Sequence, residues 1–245
     1  MKSSRTLLSV EGVTKRFGGL VAVSGISFDV AQHEMVGLIG PNGSGKTTMM
    51  NMISGVFKPT FGHISLKGRQ ISSLPAASIA RAGVGRTFQM VRLLPQLSVL
   101  ENVVAGAVFG HHRRWGREAK DFAQVVLERV GMEAMSHAPI SSLTYIDQKR
   151  VELARVLAGE PEVLLLDEWL AGLNPTELEI GIDLIHDLRD EGCTVVLVEH
   201  VMDAIRSLCD RCFVMSSGKK IAEGSPDEVL SKSEVIRAYL GDDDA

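Results

Sequence analysis

The chain has 245 residues, 45% of them hydrophobic, with 26 Lys and Arg against 30 Asp and Glu. This balance excludes an intrinsically disordered chain and gives no global reason to expect nucleic-acid binding. The length suits one large α/β domain and is ample to bury a core, and the longest stretch free of Asp, Glu, Lys and Arg runs only from Ala134 to Ile146, too short to span a bilayer.

In chain order, residues 1–10 show no apolar segment of a secretory signal, so a cytoplasmic location is expected. Residues 7–13 and 20–30 interleave apolar residues with Gly and Ser, and residues 62–67 form another short strand-like run. Together they predict an antiparallel β layer. Residues 34–39 are different, an apolar run once past Glu34, as are 163–166 and, past Thr194, 194–198. Runs of this kind suit strands of a mostly parallel sheet buried on both faces. From about residue 90 to 150 the β signals fade. Residues 99–109 and 119–130 read as helices joined by a basic connection at 111–117, which predicts a helical subdomain inserted in a single domain covering 1–245. Further helical patterns at 151–157 and 177–189 flank the sheet. Cys209 and Cys212 form C-x-x-C, but with Cys193 they make an odd number with no further Cys or nearby His, which favours buried free thiols over a metal site. Arg113, Arg114, Arg117 and Lys120 form a small basic cluster, read as a solvated connection or a phospholipid-facing surface.

The strongest motif is Gly40-Pro41-Asn42-Gly43-Ser44-Gly45-Lys46-Thr47, which matches G-x-x-x-x-G-K-[ST] between a predicted strand and a helical run at 48–53. The glycines allow consecutive backbone N–H groups to turn inward around phosphate oxygens, and the helix N-terminus at Thr47 and Thr48 adds its dipole. Lys46 neutralises the β and γ phosphates, and Thr47 offers a hydroxyl to Mg²⁺. A P-loop needs a further carboxylate for the metal, and the apolar run at 163–166 ends in Asp167 and Glu168. Asp167 is the expected Mg²⁺ partner, while Glu168 is placed to polarise a water for attack on the γ-phosphate. ATP and Mg²⁺ are therefore the expected cofactors.

These residues, with three more signals, resemble the ATP-binding cassette (ABC) ATPases over essentially the whole chain. The resemblance implies a P-loop NTPase core with an antiparallel β subdomain and an inserted α-helical subdomain. It also implies that Phe17 packs an aromatic ring against adenine, that Gln89 senses the metal and γ-phosphate, and that His200 contacts the γ-phosphate from the end of a strand. Lys15-Arg16-Phe17-Gly18-Gly19-Leu20, Arg86-Thr87-Phe88-Gln89 and Ala171-Gly172-Leu173-Asn174-Pro175 are similar to ATPase subunits of branched-chain amino acid importers. That likeness implies an ATP-hydrolysing subunit, peripheral on the cytoplasmic face of the cell membrane. Its partners would be a second ABC ATPase, two transmembrane permeases and, indirectly, an extracytoplasmic solute-binding protein, with no role for nucleic acid.

The chain departs from this family at its signature loop, where Leu-Ser-Gly-Gly-Gln is replaced by Leu143-Thr144-Tyr145-Ile146-Asp147. Ile146 is expected to crowd the approach to the partner's γ-phosphate, and Asp147 brings a carboxylate near it. The same residues also read as a capping box, with Thr144 as N-cap and Asp147 reaching back. Trp169 stands where Pro is common, and Asn174 where Asp is common; Trp169 is expected to pack against the neighbouring helix. Three functions compete on this reading. The leading one is an energy-coupling ATPase, working in a heterodimer whose other member has an intact signature. The alternative is a mainly nucleotide-binding regulatory subunit with weak hydrolysis. A soluble ABC ATPase of DNA repair or translation is disfavoured, because the chain has neither a long coiled-coil insertion nor a duplicated cassette.

Overall fold

The computed structural model describes residues 5–240; the acidic residues 242–244 lie outside them. Strands β1 (Thr6–Phe17) and β2 (Leu20–Ala31) form a hairpin, followed by β3 (Met35–Ile39) and helix α1 (Lys46–Ile53). Then come β4 (Phe61–Leu66), β5 (Arg69–Gln70), α2 (Ala76–Ala82) and β6 (Val84–Arg86). Helices α3 (Val99–Phe109), α4 (Gly116–Arg129) and α5 (Tyr145–Leu157) lead into β7 (Val163–Asp167), α6 (Pro175–Asp190), β8 (Val195–Val198) and α7 (Met202–Leu208). The described chain ends with β9 (Arg211–Ser216), β10 (Lys219–Gly224), α8 (Pro226–Leu230) and α9 (Ser233–Leu240).

Two sheets result. One is antiparallel in the order β2-β1-β4-β5; the other runs β10-β9-β3-β8-β7-β6 and is parallel except for the edge strand β10. The continuous apolar runs have a direct explanation in the second sheet. In β3, Met35 and Ile39 face a core shared with α3, α4 and α5, while Val36 and Leu38 face a core shared with α1 and the antiparallel strands. Leu164 and Leu166 of β7 and Val195 and Leu197 of β8 join the first core, and their alternate neighbours Val163, Leu165, Val196 and Val198 join the second. Side chains alternate with period two, so a strand covered on both faces needs apolar residues at every position. Cys209 and Cys212 are buried and free, and both sulfurs lie against Gly37 of β3.

This topology places the C-terminal ends of β3, β6, β7 and β8 along one edge of the parallel sheet. Ligands of open α/β sheets bind outside such carboxyl ends.

Candidate functional site

The loop after β3 runs directly into α1. Gly40 adopts φ 148°, and a Cβ there would lie 2.1 Å from the Met215 carbonyl oxygen; Gly45, at φ 106°, occupies the N-cap. Only glycine fits both demands. No side chain caps α1, and its first turn carries no acid, so the donors of that turn remain available to an anion. Lys46 is buried, and its Nζ donates to the carbonyls of Gly40 (2.7 Å) and Pro41 (3.0 Å). Burial pushes the Lys46 pKa down, opposed by the charges of Glu168 and Asp167. An open cleft of about 390 Å³ is lined by Leu20, Val21 and Ala22, by the loop from Asn42 to Thr48, by Glu168, and by Ser217 and Gly218.

Phe17 is not among the residues lining that cleft. Its ring is 40% exposed and meets Phe57 edge-on at 5.2 Å, with Lys15 Nζ 5.1 Å from its centroid. The apolar wall beside the loop is supplied by Leu20, quoted in the Lys15–Leu20 motif without a role, and by Val21, which no motif included.

Around Glu168 the predicted residues converge. Gln89 Nε2 donates to Glu168 Oε2 at 2.6 Å, and His200 Nε2 lies 3.0 Å from Oε1. The Glu168 backbone N–H donates to the Val198 carbonyl at 2.8 Å, which fixes the residue against the end of β8. Its φ of +51° is left-handed, a rare conformation for a side chain of this size.

Asp167 is 2% exposed and uses its two oxygens differently. Oδ2 pairs with Arg86 at 2.7 Å, whereas Oδ1 is buried without a partner. Arg86 also donates to Asn51 Oδ1 of α1 and to Oγ of Ser54, the C-cap of that helix, both at 2.7 Å. Sequence reasoning quoted Arg86 only as a neighbour of Gln89 and gave it no role.

A second group of buried charges was also missed. Lys149 of α5 donates from Nζ to the Trp169 carbonyl at 2.8 Å, and the Trp169 indole N–H points back to the Lys149 carbonyl at 3.4 Å. Trp169 is fully buried, as expected of packing against the neighbouring helix. Glu152, on the same helix, accepts the backbone N–H groups of Arg92 (2.8 Å) and Phe88 (3.5 Å), holding the segment that carries Gln89; burial pushes its pKa up. Glu199, beside His200, accepts the Leu170 N–H at 2.7 Å, and burial pushes its pKa up to about 7.

At the signature loop two expectations need correction. Ile146 is 7% exposed and packs into the core of the helical region with Leu143, so it is not a surface obstruction. An isoleucine in the first turn of an amphipathic helix turns inward because burial of its side chain stabilises the fold by roughly 1.5–3 kcal/mol. The cap is also only half a capping box. Thr144 Oγ1 accepts the Asp147 N–H (3.3 Å), but the Asp147 carboxylate takes the Thr144 hydroxyl (2.6 Å), not its backbone N–H, and lies 3.6 Å from Arg150. Tyr145 is the exposed aromatic of the loop, at 43%, beneath Lys149. Asn174 caps α6 in a full capping box with Glu177.

Comparison with known proteins agrees with this geometry. Residues 23–171 match the ABC transporter family, and residues 219–245 match a family described as branched-chain amino acid ATP-binding cassette transporter. The high-affinity branched-chain amino acid transport ATP-binding protein LivG of Salmonella typhimurium is 43% identical, over 98% of this chain and 99% of its own. Its counterpart BraF of Pseudomonas aeruginosa is 41% identical over the same shares. The ADP conformation of an ATP-binding cassette of an ABC transporter superposes with a TM-score of 0.89 at 28% identity, covering 98% of this chain and all of that one. With the P-loop at the carboxyl edge of a parallel sheet and Glu168 beside it, the chain belongs to the ABC transporter family, as an ATP-binding and ATP-hydrolysing subunit.

Proposed function

We propose that this chain couples ATP hydrolysis to the import of branched-chain amino acids or related small solutes. The observation that carries the reading is Glu168 at the P-loop cleft, its two oxygens met by Gln89 and His200. In that arrangement Glu168 orients and deprotonates the attacking water. Gln89 and His200 hold its carboxylate and stand ready to reach the γ-phosphate. Lys46 and the N–H groups of residues 43–48 cradle the phosphates, and the base rests on the apolar wall of Leu20 and Val21.

The residues present fit Mg²⁺. The partnerless buried Oδ1 of Asp167 is an oxygen donor in want of a partner, and Thr47 lines the cleft with a hydroxyl. A bound Mg²⁺ would neutralise charge on the β and γ phosphates. Thr47, Asp167 and Gln89 are the residues that would hold it.

We read residues 1–245 as one cassette with a helical subdomain over about 90–150. No helix among the described residues is long and apolar enough to cross a membrane. We place the chain at the cytoplasmic face of the cell membrane, with a second ABC ATPase, two permease subunits and, beyond them, an extracytoplasmic binding protein as its partners. The groove lined by Ala80, Ala105, Phe109, Val156 and Pro161 offers an apolar seat for a permease segment.

In a head-to-tail pair with a second ATPase, residues 143–147 would face the partner's nucleotide. Asp147 at that terminus favours the alternative, regulatory reading for the site this loop serves, while Glu168 favours hydrolysis at the site this chain's own P-loop forms. The test is Glu168→Gln. Calorimetric titration with Mg-ATP should show retained binding, while phosphate release falls by roughly 10²-fold or more. Undiminished phosphate release in this variant would remove Glu168 from its role and leave the regulatory reading standing.

A further inference from the structure

Arg86 ends β6 three residues before Gln89, and its side chain is only 6% exposed. Like Asp167 itself, it lies behind the P-loop cleft and does not line it. Its guanidinium donates to three groups from two other parts of the chain: Asp167 at the end of β7, and Asn51 of α1 with Ser54 at that helix's C-cap. Only Nη2 reaches the Asp167 carboxylate, by Oδ2, while Nη1 holds Asn51 and Ser54; the rigid planar guanidinium keeps these contacts at a fixed spacing, which a flexible lysine ammonium does less well. A carboxylate buried to this depth also needs a counter-charge whether or not a cation is bound.

We propose that Arg86 is a positioning residue of the divalent-cation site. It grips Asp167 by Oδ2 and so leaves Oδ1, which has no other partner, presented for the cation or its bound water. Through Asn51 and Ser54 the same guanidinium ties Asp167 to α1, the helix whose first residues are Lys46 and Thr47. The carboxylate and hydroxyl of the cation site, which come from elements far apart in the chain, are thereby held at a fixed separation. This inference rests on the reading of Asp167 as the cation's carboxylate, and the experiment separates the two.

The full chain is loaded with a non-hydrolysable ATP analogue, Mn²⁺ is titrated in, and free Mn²⁺ is read by electron paramagnetic resonance. Affinity for the analogue in EDTA is measured in parallel. Asp167→Asn should weaken Mn²⁺ binding at least tenfold; unchanged binding there overturns the reading of Asp167, and the inference with it. Given that loss, Arg86→Met should also weaken Mn²⁺ binding at least tenfold while leaving the metal-free affinity within twofold. A loss confined to structure would weaken both equally and overturn the proposal. Because Arg86→Met leaves a buried carboxylate unpaired and can fail to fold, Arg86→Lys is measured alongside it. The lysine variant should show an intermediate loss of Mn²⁺ affinity, three- to tenfold, again with metal-free affinity retained. Wild-type Mn²⁺ affinity in a folded Arg86→Lys chain overturns the proposal.

Discussion

Helices α1 and α5 both begin beneath a short loop, and both termini are read as facing a triphosphate, yet they are built in opposite ways. The start of α1 is held by backbone alone: a left-handed Gly45, no capping side chain, no acid in the first turn. The start of α5 satisfies itself, with Thr144 capping and Asp147 in the first turn, paired to Thr144 and Arg150. A helix terminus carries roughly half a positive charge, and an acid placed there spends it. The one leaves its field for a ligand; the other consumes it internally, in exchange for helix stability.

The contrast can be broken from either side. The largest expected effect on nucleotide binding is Lys46→Ala, which takes the buried cation from the open terminus. Mg-ATP affinity should fall by about 10²-fold or more by calorimetry, since charge-assisted contacts to phosphate are lost. An affinity within tenfold of the parent would mean that the backbone donors suffice. Next is Ile146→Gly, attractive from the family pattern alone as a repair of the signature loop. Because Ile146 is core, this change should cost about 3 kcal/mol or more of stability from the cavity and the glycine, read as a lower denaturant midpoint. A midpoint close to the parent's would show that the side chain is dispensable to packing.

Two smaller changes move each terminus toward the other. Thr48→Asp places an acid in the first turn of α1. It should add about 0.3–1 kcal/mol of stability through the dipole, read as a slightly higher melting temperature, while weakening ATP binding about tenfold. If both quantities fell, general disruption, not terminal charge, would be the cause. Asp147→Gln does the reverse at α5. With about 1 kcal/mol less opposition to an incoming phosphate, turnover of the isolated chain should rise about fivefold, at a similar cost in stability. Constant turnover with falling stability would confine Asp147 to a capping role.

Much of this was open to inspection before any coordinates. The P-loop, Asp167 and Glu168 declare themselves because each stands in a fixed relation to an apolar strand, whereas Gln89 and His200 were legible only through the likeness to ABC ATPases. Of the strands buried on both faces, β3, β7 and β8 were legible, but β9, which opens on Arg211 and is punctuated by Cys and Met, was not. What escaped did so for physical reasons. Arg86 sits in a three-residue strand, and its partner lies 81 positions away. Lys149, Glu152 and Glu199 belong to residue types that are nearly always solvated, so burial is the last expectation for them. Ile146 was misjudged because a family pattern records which residue is replaced, not the direction in which the replacement points. Leu20 and Val21 line the nucleotide cleft, but an apolar hairpin tip has no chemical mark to distinguish it.

Glu168 holds its position against its own backbone preference. A non-glycine residue in the left-handed region costs roughly 1–2 kcal/mol, and the side chain that incurs this is the one hydrolysis needs. Selection for hydrolysis and selection for a robust fold therefore pull apart at this codon. A lineage released from the need to turn over ATP would find glycine or asparagine there tolerated and even favoured for stability, so a non-hydrolysing, purely nucleotide-sensing descendant lies a few nucleotide changes away, down a slope of increasing stability.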